Sequence, residues 1–437
     1  MNSKPKRNFS SSKKDIKALV LLWSSTMFGA LFAFLIQVSL ARILAPEKYG
    51  KFAVSLTIIS TLLPFASFGV HSFWLKVFGE EGWRAKRWLK SSFMVLVITI
   101  SIVITSIITS AFLFIEDYES RQLLIMLSSF ILGQVAYEIL SAKYQLEEKY
   151  LVLATWQFSQ HFIRFSLIFI SYLLLSSDFT FYTAASIYSI VSITFFIIAI
   201  YSLFKMYKGK LELKGHGKQN ISTESYNPEP SIKRVLQGVW PFGLSGFFYL
   251  VYFQSDLILI KEIKGSTDAG IYNVAFIIMV ATLLLPSVIY DKYFIPKLHR
   301  WMETDLEKVR GIYKKGNLIM FLIGVTIMFC ILLVSNFGIP IIFGEKYVES
   351  IPLLNILAIS IPLLFVASSV GSFLVTKNNM KLKVKIMGGI AVLNLILNCI
   401  LIPKMGATGA AITTSFSNLV LLAIYLLVAQ RVVFNTK

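Results

Sequence analysis

Twelve apolar stretches, each close to the roughly 20 residues that a helix needs to cross a hydrocarbon core, take up most of this chain. They run over 19–41, 52–75, 91–115, 122–142, 151–175 and 179–204 in the first half, and over 235–260, 270–290, 316–337, 351–375, 386–402 and 407–430 in the second. A bilayer offers no water to an unpaired backbone, so a chain of this kind folds as helices in the membrane. Of its 437 residues, 56% are hydrophobic and only 15% are charged, which excludes a water-soluble globule of this size. The expected fold is all-α: a polytopic membrane protein of twelve transmembrane helices, in two pseudo-symmetric six-helix bundles around a central cavity. The short apolar run 339–343 either continues the ninth span or lies in the interface.

The basic excess of 42 Lys and Arg over 23 Asp and Glu would suggest nucleic acid in a soluble protein, but cytoplasmic loops also collect such an excess. With the N-terminus inside, 33 of the 42 cations fall on the cytoplasmic side, eight fall outside, and Arg164 alone lies within a span. The asymmetry favours an even number of spans with both termini cytoplasmic and gives no reason to invoke nucleic acid. The organisation read from this is a basic cytoplasmic tail over 1–18, a first bundle over 19–204, a cytoplasmic linker over 205–234, a second bundle over 235–430, and a tail over 431–437. The linker carries Gly215, Gly217, Ser222, Ser225, Pro228 and Pro230. The starts of the two halves share a weak pattern, Tyr49-Gly50-Lys51-Phe52 against Ala269-Gly270-Ile271-Tyr272. Six spans per half place related halves in the same orientation, with a substrate between them.

An ionisable group inside a bilayer costs at least about 2.5 kcal/mol and is a functional candidate by default. Arg164 lies near the middle of the fifth span, and Gln157 and His161 share its helical face. A guanidinium there either pairs with a buried carboxylate and ties helices together, or draws an anionic substrate through its planar fork. Glu138, with Gln134 and Ser141 on one face of the fourth span, is an expected partner of the Arg164 stripe and a candidate for coupling or gating. Asp256, near the outer end of the seventh span, is another candidate for coupling or gating and equally for a hydrogen-bonded anchor. Arg42 and Lys261 end spans one and seven at the outer rim, and His71 and Lys76 close span two at the inner side. Arg42 and Lys76 are further substrate-binding candidates, although long cations at span ends also snorkel to the interface.

No catalytic constellation stands out. There is no Gly-rich phosphate loop with a lysine and no His-Glu-x-x-His, and the four histidines are scattered, so no catalytic residue, metal or cofactor is expected. Cys330 and Cys399 lie within apolar stretches and not in loops, so neither a disulfide framework nor a Cys/His metal spacing can be built from them. The expectation is a transporter and not an enzyme.

The segment Leu40-Ala41-Arg42-Ile43-Leu44-Ala45-Pro46-Glu47-Lys48-Tyr49-Gly50 resembles the opening signature of the O-antigen flippase and polysaccharide exporter family. That family belongs to the multidrug/oligosaccharidyl-lipid/polysaccharide exporter superfamily. Further pieces follow in the family's order: Trp83-Arg84-Ala85-Lys86-Arg87, then Pro241-Phe242-Gly243 with Asp256 and Gly270-Ile271-Tyr272, then Phe343-Gly344-Glu345-Lys346-Tyr347, then Pro403-Lys404-Met405-Gly406-Ala407. The resemblance implies alternating access between two bundles. It also implies passage of an undecaprenyl-pyrophosphate-linked oligosaccharide, an O-antigen, capsule or similar repeat unit, across the bacterial inner membrane. Membrane lipids, a polysaccharide polymerase and chain-length machinery are the partners it implies. Basic cavity residues attract the pyrophosphate in similar proteins, and Arg164 is the best local match. The alternatives are a cation-coupled multidrug extruder of the same fold, for which midplane carboxylates are expected, and a membrane glycosyltransferase or polysaccharide polymerase, for which a large outer loop is expected.

Overall fold

The computed structural model describes residues 13–214, 228–294, 298, 301, 306–374 and 380–431, and among these no strand occurs. The terminal tails beyond these bounds, the middle of the linker with His216, and His299 lie outside the described residues. The first half contains α1 (Lys13–Ile43), α2 (Pro46–Ser67), α3 (Val70–Glu81), α4 (Leu89–Phe114), α5 (Tyr118–Ser128), α6 (Phe130–Leu146), α7 (Tyr150–Leu175) and α8 (Phe181–Tyr207). The second contains α9 (Ile232–Lys264), α10 (Ser266–Thr282), α11 (Leu284–Ser287), α12 (Leu306–Phe343), α13 (Ser350–Ile359), α14 (Ile361–Leu374), α15 (Met380–Met405) and α16 (Ala407–Ala429).

Among the described residues ten helical runs are long and apolar enough to cross a membrane, and eleven when α13 and α14, bent by 44°, count as one span. The sequence reading expects twelve. The run Pro46–Phe114 counts once at 69 residues, yet it holds the segments expected as spans two and three. A straight helix of that length would reach about 100 Å, several times the core thickness. It does not run straight: Phe68 and Gly69 take left-handed backbone angles between α2 and α3, and a 3-10 turn over Gly82–Trp88 precedes α4. The run 339–343 continues its helix, since α12 ends only at Phe343. Large apolar side chains stay exposed along α4, α7, α8 and α12, Val97, Leu174, Ile197 and Leu333 among them, where a soluble protein would bury them. This is a multi-pass membrane protein with lipid around its waist.

Breaks in spans free backbone carbonyls that lipid cannot satisfy, and neighbouring hydroxyls take them up. Thr99 on α4 donates to the Ala66 carbonyl beside the α2–α3 break at 2.8 Å. Ser189 on α8 donates to the Met126 carbonyl beside the α5–α6 break at 2.7 Å. Ser415 on α16 donates to the Ile356 carbonyl beside the α13–α14 break at 3.1 Å. The last two form a matched pair: in each half the fourth span is broken in its middle and held by a serine from the last span.

The linker is anchored on both sides. Leu211 and Leu213 are buried, Glu147 accepts from the Glu212 backbone N–H, and Lys149 pairs with Glu212 at 2.9 Å. On the far side Ser91 donates to the Pro230 carbonyl, and the Ser231 hydroxyl caps α9 by accepting from Arg234 N–H. At the opposite end of the bundle Asp117 caps α5 and meets Lys51, which also binds Glu119.

Two outcomes are expected from this packing. Ser189→Ala and Ser415→Ala should each lower stability by about 0.5–1.5 kcal/mol in detergent unfolding; no loss for either would show that the broken spans need no hydroxyl. Burial alone would raise the Asp117 carboxyl, but hydrogen bonds from Ser120 and Lys51 and the Lys51 charge outweigh it and hold the pKa at about 2. The unfolded value is near 3.9, so this carboxylate stabilises the fold above about pH 4 and loses that contribution as pH falls towards 2. Asp117→Asn should flatten the melting temperature across that window, and an unchanged acid profile would remove Asp117 from the account.

Candidate functional site

The two halves meet where α2 lies against both α9 and α10, with α1 beside α10 and α12. Small residues let the backbones touch. A methyl group at Gly50 would overlap the Ser266 carbonyl oxygen, and one at Gly270 would overlap the Pro46 carbonyl. These are the two glycines of the repeated start pattern, and they face each other. Around them Asn273 donates to the Tyr49 hydroxyl at 2.8 Å and Tyr49 donates to Gln37 at 3.0 Å. The Tyr49 and Tyr347 rings meet edge to face at 6.1 Å. Lys346, in the turn after α12, donates to the carbonyls at the end of α1, Arg42 at 2.9 Å and Leu44 at 2.5 Å. Burial and the nearby Arg42 charge lower the Lys346 pKa from its usual range. One end of the interface is thereby closed by residues from both halves.

Beneath this closure lies a cavity of about 410 Å³, walled by α1, α2, α9 and α10 and reaching to Leu284 of α11. Its polar groups are Gln37, Thr57, Ser60, Gln254, Tyr272 and Asn273, alternating with Phe34, Phe253 and Phe276. Among the described residues no charged side chain lines it. Such a wall offers amide and hydroxyl hydrogen bonds and aromatic faces, suited to a neutral polar ligand.

Asp256 stands one side chain behind the cavity and is fully buried. Tyr272 donates to its Oδ2 at 2.8 Å, Asn398 donates to its Oδ1 at 2.5 Å, and Thr414 donates to Oδ2. Asn394 accepts from Ser255 at 3.2 Å and from Asn398 at 2.9 Å, and Tyr252 donates to Asn418. The carboxylate of α9 is thus met by neutral donors from α10, α15 and α16, with no cationic side chain bonded to it among the described residues. α9 continues to Lys264, so Asp256 sits about 12 Å from the helix end, twice as deep as the sequence reading places it.

The stripe on α7 divides. His161 packs against Gly29 of α1, with Gln157 on the same side and both half-buried. Arg164 turns to the first half's interior, 2% exposed, its guanidinium over the rings of Tyr188 at 4.3 Å and Phe130 at 5.2 Å. Its Nε and Nη2, and both polar atoms of buried Gln160 one turn earlier, have no hydrogen-bond partner among the described residues. Among the described residues no carboxylate pairs with Arg164, and none of Gln157, His161 and Arg164 lines the cavity. α1 stands between, with Phe32 packed on Phe158, Phe162 and Phe165 of α7 and with Ala33, Phe34 and Gln37 turned to the cavity.

Glu138 does not join that stripe. Its Oε2 lies 3.1 Å from His71 Nδ1, because the break between α2 and α3 swings His71 onto α6. Lys76 is exposed on α3 and Arg42 is exposed at the end of α1. Gln37, Tyr49, Tyr272 and Asn273 were not singled out as site residues from the sequence. Only the repeated glycine pattern, in which Tyr49 and Tyr272 lie, points towards them.

The closure makes a direct prediction. In a background with Cys330 and Cys399 replaced by serine, Gln37→Cys should resist a membrane-impermeant maleimide added outside. Adding Gly270→Val should raise its labelling severalfold by holding the glycine crossing apart. Equal protection with and without the valine would mean that the crossing does not close the cavity.

Comparison with known proteins follows the same outline. The family described as polysaccharide biosynthesis protein matches residues 16–302. The capsular polysaccharide biosynthesis protein CapF of Staphylococcus aureus is 23% identical over 95% of this chain and 100% of its own length. The probable low-salt glycan biosynthesis flippase Agl15 of Haloferax volcanii is 24% identical over 94% of this chain and 83% of its own. Among solved structures, the lipid II flippase MurJ in an inward closed conformation superposes with a TM-score of 0.71 at 15% identity, over 94% of this chain and 87% of that one. An inward-facing multidrug resistance MATE family transporter superposes at 0.69 with 14% identity, over 94% and 97%. At such identities the structures speak for the fold alone.

Proposed function

This chain belongs to the polysaccharide biosynthesis protein family, and from that premise we propose that it is a flippase. It carries an undecaprenyl-pyrophosphate-linked oligosaccharide, a repeat unit of O-antigen, capsule or another surface polysaccharide, from the inner to the outer leaflet of the bacterial cytoplasmic membrane. Both termini are cytoplasmic in this reading, as the distribution of cations supports. The observation that carries it is the cavity between the halves, polar and aromatic but uncharged. Sugars are bound by amides, hydroxyls and ring faces. An extruder of organic cations would be expected to hold a carboxylate in that wall, and Asp256 stands behind Tyr272 instead.

Transport proceeds by rocking of the two six-span halves. With the Gly50–Gly270 crossing closed, the cavity faces the cytoplasm; separation of α2 from α10 opens the outer side and widens the space for a repeat unit. Inner-rim cations, Lys76 among them, gather the anionic head group. Arg164 receives the pyrophosphate when α7 turns away from α6 and α8, and His161 and Gln157 join it as α1 moves off α7; the two Arg164 nitrogens unpartnered among the described residues then take phosphate oxygens. Arg42 meets the head group at the outer rim. The membrane potential favours export of negative charge by about 2.3 kcal/mol per charge per 100 mV.

Coupling is assigned to Asp256. Neighbouring residues of α10 serve both sides: Tyr272 holds the carboxylate and Asn273 holds Tyr49 of the other half. Protonation of Asp256, or a cation bound there, removes the charge that Tyr272 answers and so biases the closure. The Glu138–His71 pair is a second protonatable element, at the inner side. The chain moves its substrate without a catalytic step, and its partners in the membrane are a polymerase and chain-length machinery.

Deleting the gene should abolish surface polymer and accumulate lipid-linked oligosaccharide in the inner leaflet. Arg164→Ala and Asp256→Asn should each reduce polymer at least tenfold at normal protein level. Normal polymer in the deletion strain, with no second transporter present, sinks the reading. Normal polymer in a variant sinks only that residue's role.

A further inference from the structure

A second hollow, apolar, lies away from the cavity, on the lipid-facing side of the first half. It is a groove of about 760 Å³ between α4 and α8, floored by Val135, Ala136 and Ile139 of α6 and bounded at one end by Ile232 of α9. The floor is buried beneath the walls, whereas wall residues such as Val97 and Phe204 are exposed to lipid. The groove residues of α4, 93–101, begin about 6 Å from the helix start at Leu89. That start is the end assigned to the cytoplasm, so the groove lies in the inner-leaflet half of the bilayer.

Its cytoplasmic mouth is ringed with cations. Lys208 caps the Phe204 ring at 4.3 Å, Lys205 caps Tyr201 at 4.2 Å, and Lys233 and Arg234 follow Ile232, with Arg234 over the Trp88 ring at 5.8 Å. Lys90, one turn before Phe93, is held by Glu229 at 2.7 Å. The acidic residue among these mouth groups is Glu229, already engaged. A single-floored groove takes one chain at a time, and several cations at one mouth answer more charge than a phosphodiester brings.

We infer that this groove is a docking site for the isoprenoid tail of a polyprenyl diphosphate, with Lys208, Lys233 and Arg234 receiving the diphosphate at the inner surface. The inference rests on the flippase reading and adds to it a place where the lipid half of the substrate sits while the sugar enters between the halves. Because Ile232 belongs to α9 and the other walls to the first half, an occupied groove touches both moving parts.

The test uses the full chain in phosphatidylcholine vesicles and a polyprenyl diphosphate with a diazirine in its isoprenoid chain. Crosslinks should map to α4, α6 and α8 and be competed by unlabelled polyprenyl diphosphate. Equal concentrations of the uncharged polyprenol or of phosphatidylglycerol should compete far less. Ala136→Trp, which fills the floor, should remove the crosslinks. Lys208→Gln with Lys233→Gln, both exposed and tolerant of change, should weaken labelling roughly tenfold while the chain stays folded. Equal competition by phosphatidylglycerol would make the groove an ordinary lipid contact and overturn the inference, as would crosslinks confined to the cavity between the halves. Normal surface polymer with a folded Ala136→Trp protein would also overturn it while leaving the flippase reading intact, which the deletion strain tests separately.

Discussion

In hydrocarbon, a polar group must find its partner inside the protein, and nearly every feature of this molecule follows from that. The backbone closes into helices. Where α2–α3, α5–α6 and α13–α14 break, a hydroxyl from another span takes a freed carbonyl. Asp256 collects donors from three other helices and so fixes the relative positions of α9, α10, α15 and α16. The breaks and the polar cluster are where helix positions are specified, because apolar side chains pack against lipid almost as well as against each other.

The contact between the halves obeys the same constraint differently. Gly50 and Gly270 remove side chains so that carbonyls and helix starts can meet, and a short chain of hydrogen bonds, Asn273 to Tyr49 to Gln37, surrounds the crossing. None of these bonds involves a charge; the charged contact beside them, Lys346 on the Arg42 and Leu44 carbonyls, lies in the turn after α12 at the end of the interface. Asp256, which could not be exposed so cheaply, lies one residue away through Tyr272. A crossing of neutral groups beside a buried charge is an arrangement in which neutralising one carboxylate changes the balance of a large movement.

Arg164 is the exception that the constraint makes informative. Cation–π contact with Tyr188 and Phe130 contributes about 2 kcal/mol when desolvated, yet a buried guanidinium with unpaired nitrogens remains costly. Helical periodicity puts it with His161 and Gln157 on one face, and in the fold that face divides. Periodicity does not say which neighbour a face meets: α1 covers Gln157 and His161, while Arg164 points to α6 and α8. Glu138 was matched to that stripe on polarity and depth, but the left-handed pair Phe68–Gly69 redirects α3 and brings His71 to it first.

By itself the sequence determined what depends on counting along one chain: a helical membrane protein, spans close to the observed helices, the family resemblance, and the few ionisable groups that the bilayer makes expensive. The repeated glycine pattern was visible as well, though its meaning was not. Tertiary structure alone decided that those two glycines touch, that Tyr49, Gln37, Tyr272 and Asn273 build the closure and the cavity, and that Asp256 lies behind that wall while Arg164 lies outside it. The reason is physical. Transfer into lipid is a property of each segment alone, whereas contacts between helices depend on crossing positions and breaks set by pairs of residues more than 100 positions apart, such as Tyr49 with Asn273 and Asp256 with Asn398.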